Sequence, residues 1–423
     1  MTLRRNLAER LSLALYLAAT SALAPLLPIH LKKRLQRGRE HPDRWREKQG
    51  FSSKPRPAGK LVWLHAVGLG EVLALRGMIV ALQACDPDLQ FLVTSSTRAS
   101  AETFGNNLPP KTVHQFLPLD CGRYAQRFLD HWHPDLALWS EQDMWPGLVT
   151  HTARRGIPQA LINVRMTAAS FQRKRRVKAL YRAVYRNFAL ISAQDNATAT
   201  ALVHLDAPQD IRIDGSLKPH SPPLRVAAAD LARMTDALAG KEVWLAASCH
   251  REDEAVALEA HRQLLTKAPN AMLILAPRYP SRAPHILSQL AGFNIKVRSR
   301  GALPDARTQV YLADSFAEMG LWYALSNFAL IGGTFSDIEG HNPWEALQLR
   351  CGVMHGPRYA NFTNDFTILI EAQACFPVYN AGDIVDTLMA QTPRGLDGYR
   401  RLQRDQSAAL SDLAETLIGL IKP

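Results

Sequence analysis

Residues 61–84, "LVWLHAVGLGEVLALRGMIVALQA", divide in the middle. The run 61–67 has the length and the apolar and aromatic content of a buried strand, and the segment from Glu71 onward has the length and apolar content of a helix. Gly68 and Gly70 make the turn between them. A strand passing through glycines into a helix is half of a βαβ unit, and the same grammar recurs on both sides. "LQFLVTSS", "DLALWS", "PQALINV" and "FALISAQ" are short apolar runs separated by helix-length segments. The alternation pauses at "DGSLKPHSPP" (214–223) and resumes with "VWLAAS", "AMLILAP", "FNIKVRS", "TQVYLAD" and "NFALIGG". This predicts parallel strands with crossover helices, a doubly wound α/β sheet, built once on each side of a linker. Two such Rossmann-like halves would face each other across a cleft, with ligands beyond the carboxyl ends of the strands.

The length of 423 residues suits two domains of roughly 200 residues. The expected division is 1–50 as a membrane anchor with a basic juxtamembrane segment, 51–215 as the first α/β domain and 216–423 as the second. Five scattered cysteines without CxxC spacing argue against a disulfide framework or a zinc cage. The formal charge of +12 is uneven: residues 1–60 hold 14 Lys and Arg against four acids, a local +10, and residues 165–186 carry eight basic residues and no acid. A basic surface confined to one half points to an anionic partner. Nucleic acid is one such partner, but the N-terminus favours a membrane. Residues 11–29 are nineteen residues without a charge between basic flanks, enough to span a bilayer or to lie in its surface. A secretory signal is the third reading; Pro25 directly after the Ala22-Leu23-Ala24 site disfavours its cleavage.

The candidate site residues fall at strand ends. Ser248 belongs to "SCH" after one strand, Arg278 to "PRYP" after the next, and Gly333 ends "ALIGG" before "HNPWE". Asn342 is placed to cap the following helix, with Glu345 in the capping-box position three residues on. That local role leaves His341 and the glycines unexplained, and all four suit a nucleotide-sugar site with phosphate at a helix start. In the first half Glu71 opens the helix after Gly70. Glu141 and Asp143 of "SEQDMWP" follow another strand; paired carboxylates there serve either general-base work or helix capping.

The ordered blocks "HAVGLGEVLALR", "SEQDMWPGL", "NVRMTAASF", "DGSLKPH", "AASCHREDE", "APRYPSR" and "GGTFSDIEGHNPWEAL…GPRYANF" resemble those of the 3-deoxy-D-manno-octulosonic acid (Kdo) transferases over nearly the whole chain. The resemblance implies a GT-B fold and an inverting, metal-independent transfer without cofactor. It implies CMP-Kdo as donor and a lipid A precursor as acceptor, at the cytoplasmic face of the cell inner membrane, with an anionic lipid surface and no nucleic acid as partner. It makes 51–215 the acceptor domain and 216–423 the donor domain. Carried over by position, Glu71 stands at the general base, Glu141 at the first acid of the second motif and Lys218 at the lysine of the "GNLK" block. Arg278 stands at the arginine near the CMP phosphate, and Gly333, His341, Asn342 and Glu345 in the nucleotide signature. Basic segments 32–60 and 165–186 would meet acceptor phosphates and lipid. Departures are Gly68 for Ser, Asp143 for Glu, Cys249 for Thr, Glu339 for Gly and Ala346 for Pro. The other readings are a GT-B transferase or epimerase using a UDP-sugar, and a catalytically idle lipid-binding paralogue.

Overall fold

The computed structural model describes residues 2–142, 144–207, 210–390 and 394–421. Its two compact units each carry a seven-stranded, all-parallel sheet. In the first, β1 (Leu61–His65), β2 (Gln90–Ser95), β3 (Thr112–Phe116), β4 (Leu136–Ser140), β5 (Gln159–Val164), β6 (Leu190–Ala193) and β7 (Ile211–Ile213) lie in the order β3-β2-β1-β4-β5-β6-β7. In the second, β8 (Glu242–Cys249), β9 (Ala271–Pro277), β10 (Ile295–Val297), β11 (Val310–Leu312), β12 (Phe328–Ile331), β13 (Gly352–His355) and β14 (Cys375–Pro377) lie in the order β10-β11-β9-β8-β12-β13-β14. This is the α/β, two-domain GT-B architecture, two Rossmann-like sheets. Strands covered on both faces need apolar residues on both, which is why they read as unbroken apolar runs. The sequence runs named above all become strands. Four further strands carry weaker signals: β3 ("TVHQF") is broken by His114 and Gln115, and β7, β13 and β14 have three or four residues.

Among the described residues six tryptophans are fully buried, and five of their indole N–H groups donate to named acceptors inside the core. Trp63 donates to Thr94 Oγ1, Trp132 to Gln115 Oε1, Trp139 to Gln159 Oε1, Trp244 to His261 Nδ1 and Trp344 to Asp365 Oδ1. An indole donor left unpaired in such a core would cost about 1–3 kcal/mol.

The division of the chain differs from the expected one. The units are 1–221 with 406–423, and 222–405. Residues 1–50 are part of the first unit. The helix Thr2–Leu23 is tied into it by Glu9, which pairs with Arg182 (3.1 Å) and Arg186 (3.3 Å), and by Tyr16, whose hydroxyl donates to Asp120 Oδ2 (2.7 Å). The segment Lys218–His220 packs on the helix Leu69–Cys85, where a Cβ on Gly77 would lie 2.8 Å from the His220 carbonyl oxygen. Residues from Gln406 onward return to the first unit, where Asp412 pairs with Arg212 at 2.6 Å.

Among the described residues no single helix is long and apolar enough to cross a membrane. The hydrophobic N-terminus is two helices, the second Leu27–Gln36, bent 61° apart. Their outer side exposes Leu7, Leu11, Leu15, Leu23, Leu26 and Ile29, each more than half exposed. The first three repeat every four residues, the spacing of one helix face.

Candidate functional site

In the first sheet the strand order reverses between β1 and β4, which are parallel neighbours, with His65 opposite Trp139. A doubly wound sheet opens its crevice at that switch point. The segments leaving these two strands carry Glu71 and Glu141. Glu71 lies in the first turn of Leu69–Cys85 and is partly buried. Its carboxyl group folds back over Gly68, in the space a Cβ there would occupy. The Ser-to-Gly departure at this position therefore makes room for the carboxylate. Glu141 has φ 58°, and its N–H donates to the Ile162 carbonyl at 2.9 Å. A non-glycine residue in that left-handed region costs about 1–2 kcal/mol. Lys218, buried, lies in the segment packed on the helix of Glu71. Asp143 lies outside the described residues.

The second sheet repeats the device between β8 and β12, paired with Ile331 opposite Ala247. Ser248 (φ 53°) breaks the register of β8 just before Cys249, and Gly332 approaches the Ser248 carbonyl too closely for any Cβ. The buried Asp253 joins the two strand ends. Its Oδ2 accepts from the N–H groups of His250 (2.9 Å) and Gly333 (2.7 Å), and its Oδ1 from Phe335 (3.0 Å). Burial raises its pKa and the three N–H groups oppose that, with a net upward shift. Asp253 was missed in the sequence reading, although His250 and an Asp three residues on, "HRED", is itself a capping-box signal.

The capping box thus belongs to the 17-residue helix Arg251–Lys267 and not to HNPWE. Asn342 Oδ1 accepts from the Trp344 N–H at 3.1 Å, and its Nδ2 donates to Glu345 Oε1 at 3.1 Å. Glu345 therefore meets the Asn342 side chain instead of its backbone. The helix that follows, Trp344–Gln348, has five residues, too short to gather a substantial dipole for a phosphate.

His341 meets His250 instead. Their Nε2 atoms lie 3.0 Å apart and the rings stack with 19° between planes. The His250 ring also accepts the backbone N–H of Asp253. With Nε2 facing His341, that acceptor is Nδ1, so the proton of neutral His250 sits on Nε2 and is donated to His341. His341 Nε2 is then the acceptor, and its own proton sits on Nδ1. This assignment comes from the hydrogen-bond pattern. Both rings are shifted toward the neutral form: burial lowers His250 against the opposing charge of Asp253, and burial, with His250 and Arg278 adding to it, takes His341 to about 4. Arg278 is exposed, with its N–H on the Cys249 carbonyl (2.9 Å). Cys249 is fully buried and its thiol is pushed well up by burial, which makes it an inert packing group.

The residues named from sequence thus divide between the units, Glu71, Glu141 and Lys218 in the first and Ser248, Arg278, Gly333, His341, Asn342 and Glu345 in the second. Glu339, the departure that adds a negative charge, sits at φ 62°, where glycine is at ease. Arg358 answers it at 2.8 Å, and its Oε2 accepts the Ala360 N–H at 3.2 Å. The basic stretches are also partly spent internally. Arg34 and Lys48 pair with Glu40, Arg44 with Glu47, and Lys178 with Asp206, while Lys32, Lys33, Arg37, Arg39, Lys54, Lys60, Arg173, Arg175 and Arg176 are exposed.

A family model described as 3-deoxy-D-manno-octulosonic-acid transferase (kdotransferase) matches residues 43–221. The Arabidopsis thaliana protein named "Probable 3-deoxy-D-manno-octulosonic acid transferase, mitochondrial" is 32% identical over 419 residues, 96% of this chain and 94% of that relative. The Haemophilus influenzae 3-deoxy-D-manno-octulosonic acid transferase is 31% identical over 396 residues, 89% and 90% of the two chains. In fold alone, the chain resembles the UDP-GlcNAc 2-epimerase of Neisseria meningitidis, at 13% identity and a TM-score of 0.53 over 83% of this chain and 100% of that one. Identity of this order along nearly the full length of both chains is more than a shared fold produces: the protein belongs to the 3-deoxy-D-manno-octulosonic acid transferase family of glycosyltransferases.

Proposed function

We propose that the protein transfers Kdo from CMP-Kdo to a lipid A precursor in lipopolysaccharide biosynthesis, with inversion, without a metal, and with Glu71 as general base. The observation that carries this reading is the partly buried Glu71 carboxyl group at the first sheet's switch point, given room by Gly68. The acceptor hydroxyl oxygen attacks the anomeric carbon of Kdo while its proton passes to Glu71. The bond from that carbon to the phosphate oxygen breaks on the opposite face, and its electron pair leaves with CMP. Charge developing on the phosphate is met by Arg278 and by the Nδ1–H of His341. Lys218 and Glu141 hold the acceptor side, and Ser248, Gly333, Asn342 and Glu345 the nucleotide side. No other cofactor takes part in this scheme.

The exposed leucine row supports attachment in the plane of the cytoplasmic leaflet of the inner membrane, with Arg10, Lys32 and Lys33 beside it for anionic lipid. The deciding experiment incubates the protein with CMP-Kdo and tetraacylated lipid A precursor and weighs the product. A mass gain of one or more Kdo units supports the reading; an unchanged acceptor overturns it. Calorimetry with CMP against UDP separates it from a UDP-sugar enzyme.

A further inference from the structure

The helix Arg251–Lys267 opens with three consecutive acids, Glu252, Asp253 and Glu254. Asp253 joins the ends of β8 and β12. Glu254, next in the chain, is fully buried and meets the segment leaving β9. Its Oε1 accepts from Arg282 Nε at 3.2 Å and its Oε2 from Arg282 Nη2 at 2.7 Å, a two-point pair. Neither residue has a part in the transfer chemistry above.

Burying an ion pair is a poor route to stability, because desolvation of the two charges offsets most of their attraction. What the pair supplies is direction. A planar guanidinium that meets a carboxylate through two hydrogen bonds is held in one orientation. Here that fixed group ends a short, stiff segment. At its start the Arg278 N–H donates to the Cys249 carbonyl at 2.9 Å. At its finish the Arg282 N–H returns to the Tyr279 carbonyl at 2.9 Å, closing the turn Pro280–Arg282. Pro280 fixes its own φ between them. The ring of Tyr279 carries the Arg278 guanidinium 5.5 Å from its centroid and meets the His250 ring near edge-on at 5.8 Å. Arg278 itself is exposed. An exposed arginine has many rotamers, so the backbone and the ring beneath it decide where its charge is concentrated.

We infer that Glu254 and Arg282 are positioning residues: their pair sets the turn Pro280–Arg282, which holds Tyr279 and so aims Arg278 at the donor phosphate. The inference rests on the reading of Arg278 as a phosphate ligand. One helix turn then governs both loops of the nucleotide side, Asp253 holding Gly333 and Glu254 holding the segment of Arg278.

The test measures CMP affinity by calorimetry on the full chain in four forms: wild type, Arg278→Ala, Arg282→Lys, and the two changes combined. Lys keeps a charge beside buried Glu254 but lacks the two-point fork. Arg282→Lys should weaken CMP by about fivefold or more, the worth of one hydrogen bond, and by under about twofold once Arg278 is Ala. A purely structural pair would not give that dependence, since its loss would act alike in both backgrounds. Glu254→Gln with Arg282→Gln removes both charges. It should unfold near the wild-type temperature and still bind CMP about fivefold or more weakly, which separates aim from stability. Wild-type CMP affinity in Arg282→Lys or in the uncharged pair overturns the inference alone, as does an equal loss with and without Arg278. Wild-type CMP affinity in Arg278→Ala overturns the reading of Arg278, and the inference with it.

Discussion

His250 and His341, 91 positions apart in the chain, share one hydrogen bond at 3.0 Å between their Nε2 atoms. Because a helix N–H fixes the other nitrogen of His250 as an acceptor, the bond has one direction, and His341 is left with its proton on Nδ1. A neutral donor is thereby held at the carboxyl edge of the second sheet without relying on imidazolium. Replacing His250 with Asn keeps a good helix cap, so stability should change by less than about 1 kcal/mol. His341 loses its fixed tautomer, and CMP should bind more weakly by about 1 kcal/mol, the worth of one hydrogen bond. Long-range ¹⁵N spectra of the wild type should show His341 protonated at Nδ1. A signal from the Nε2–H form would refute the assignment.

Glu71→Gln keeps the size of the side chain and its ability to sit over Gly68. A general base contributes roughly 10²–10⁴-fold, so turnover with CMP-Kdo should fall by that range while CMP affinity holds. If Glu71 only complements the helix dipole, turnover stays near wild type and stability drops by under about 1 kcal/mol.

Acid should destabilise the protein. Burial holds His65, His261 and His341 at about 4 and His114 at about 3, below the ordinary 6.5. Between these values and 6.5 the unfolded chain binds more protons than the folded one. Stability is therefore full above about pH 6.5 and falls as pH drops toward 4, by up to about 1.4 kcal/mol per pH unit for each ring. The carboxyl groups of Asp120 and Asp253, shifted upward, act in the opposite sense at the acidic end. Urea midpoints at pH 7.5 and 5.5 test this; equal midpoints would contradict it.

Membrane attachment is better tested by point changes than by deletion, because Glu9 and Tyr16 bind the first helix into the fold. Leu11→Asp with Leu15→Asp alters only exposed positions. The double variant should fold normally and lose most of its sedimentation with anionic vesicles. Undiminished sedimentation would remove the leucine row from the interface.

Glu339→Gly relieves a left-handed residue, a gain of about 1 kcal/mol, and gives up a partly exposed ion pair worth about as much. Thermal unfolding should move little and CMP affinity should not fall. A loss beyond about 2 kcal/mol would mean the Arg358 pair holds the loop.

What the sequence determined by itself was periodic and local. Apolar runs such as "LVWLH" and "AMLILAP" declared buried parallel strands, since only strands covered on both faces tolerate unbroken apolar character. Glycines marked the strand ends where Glu71 and Gly333 stand. The strand β3 was illegible because His114 and Gln115 interrupt its apolar run. Tertiary structure alone decided which strand ends meet. Strand order puts β1 beside β4 and β8 beside β12, which groups the segments bearing Glu71 and Glu141, joins His250 to Gly333 through Asp253 and brings His341 onto His250. It also decided which charges are spent inside the fold, as with Glu9 on Arg182 and Arg186, and sent the last helix back to the first unit. Contacts between residues remote in sequence leave no local signature, because neither partner's neighbours in the chain depend on them.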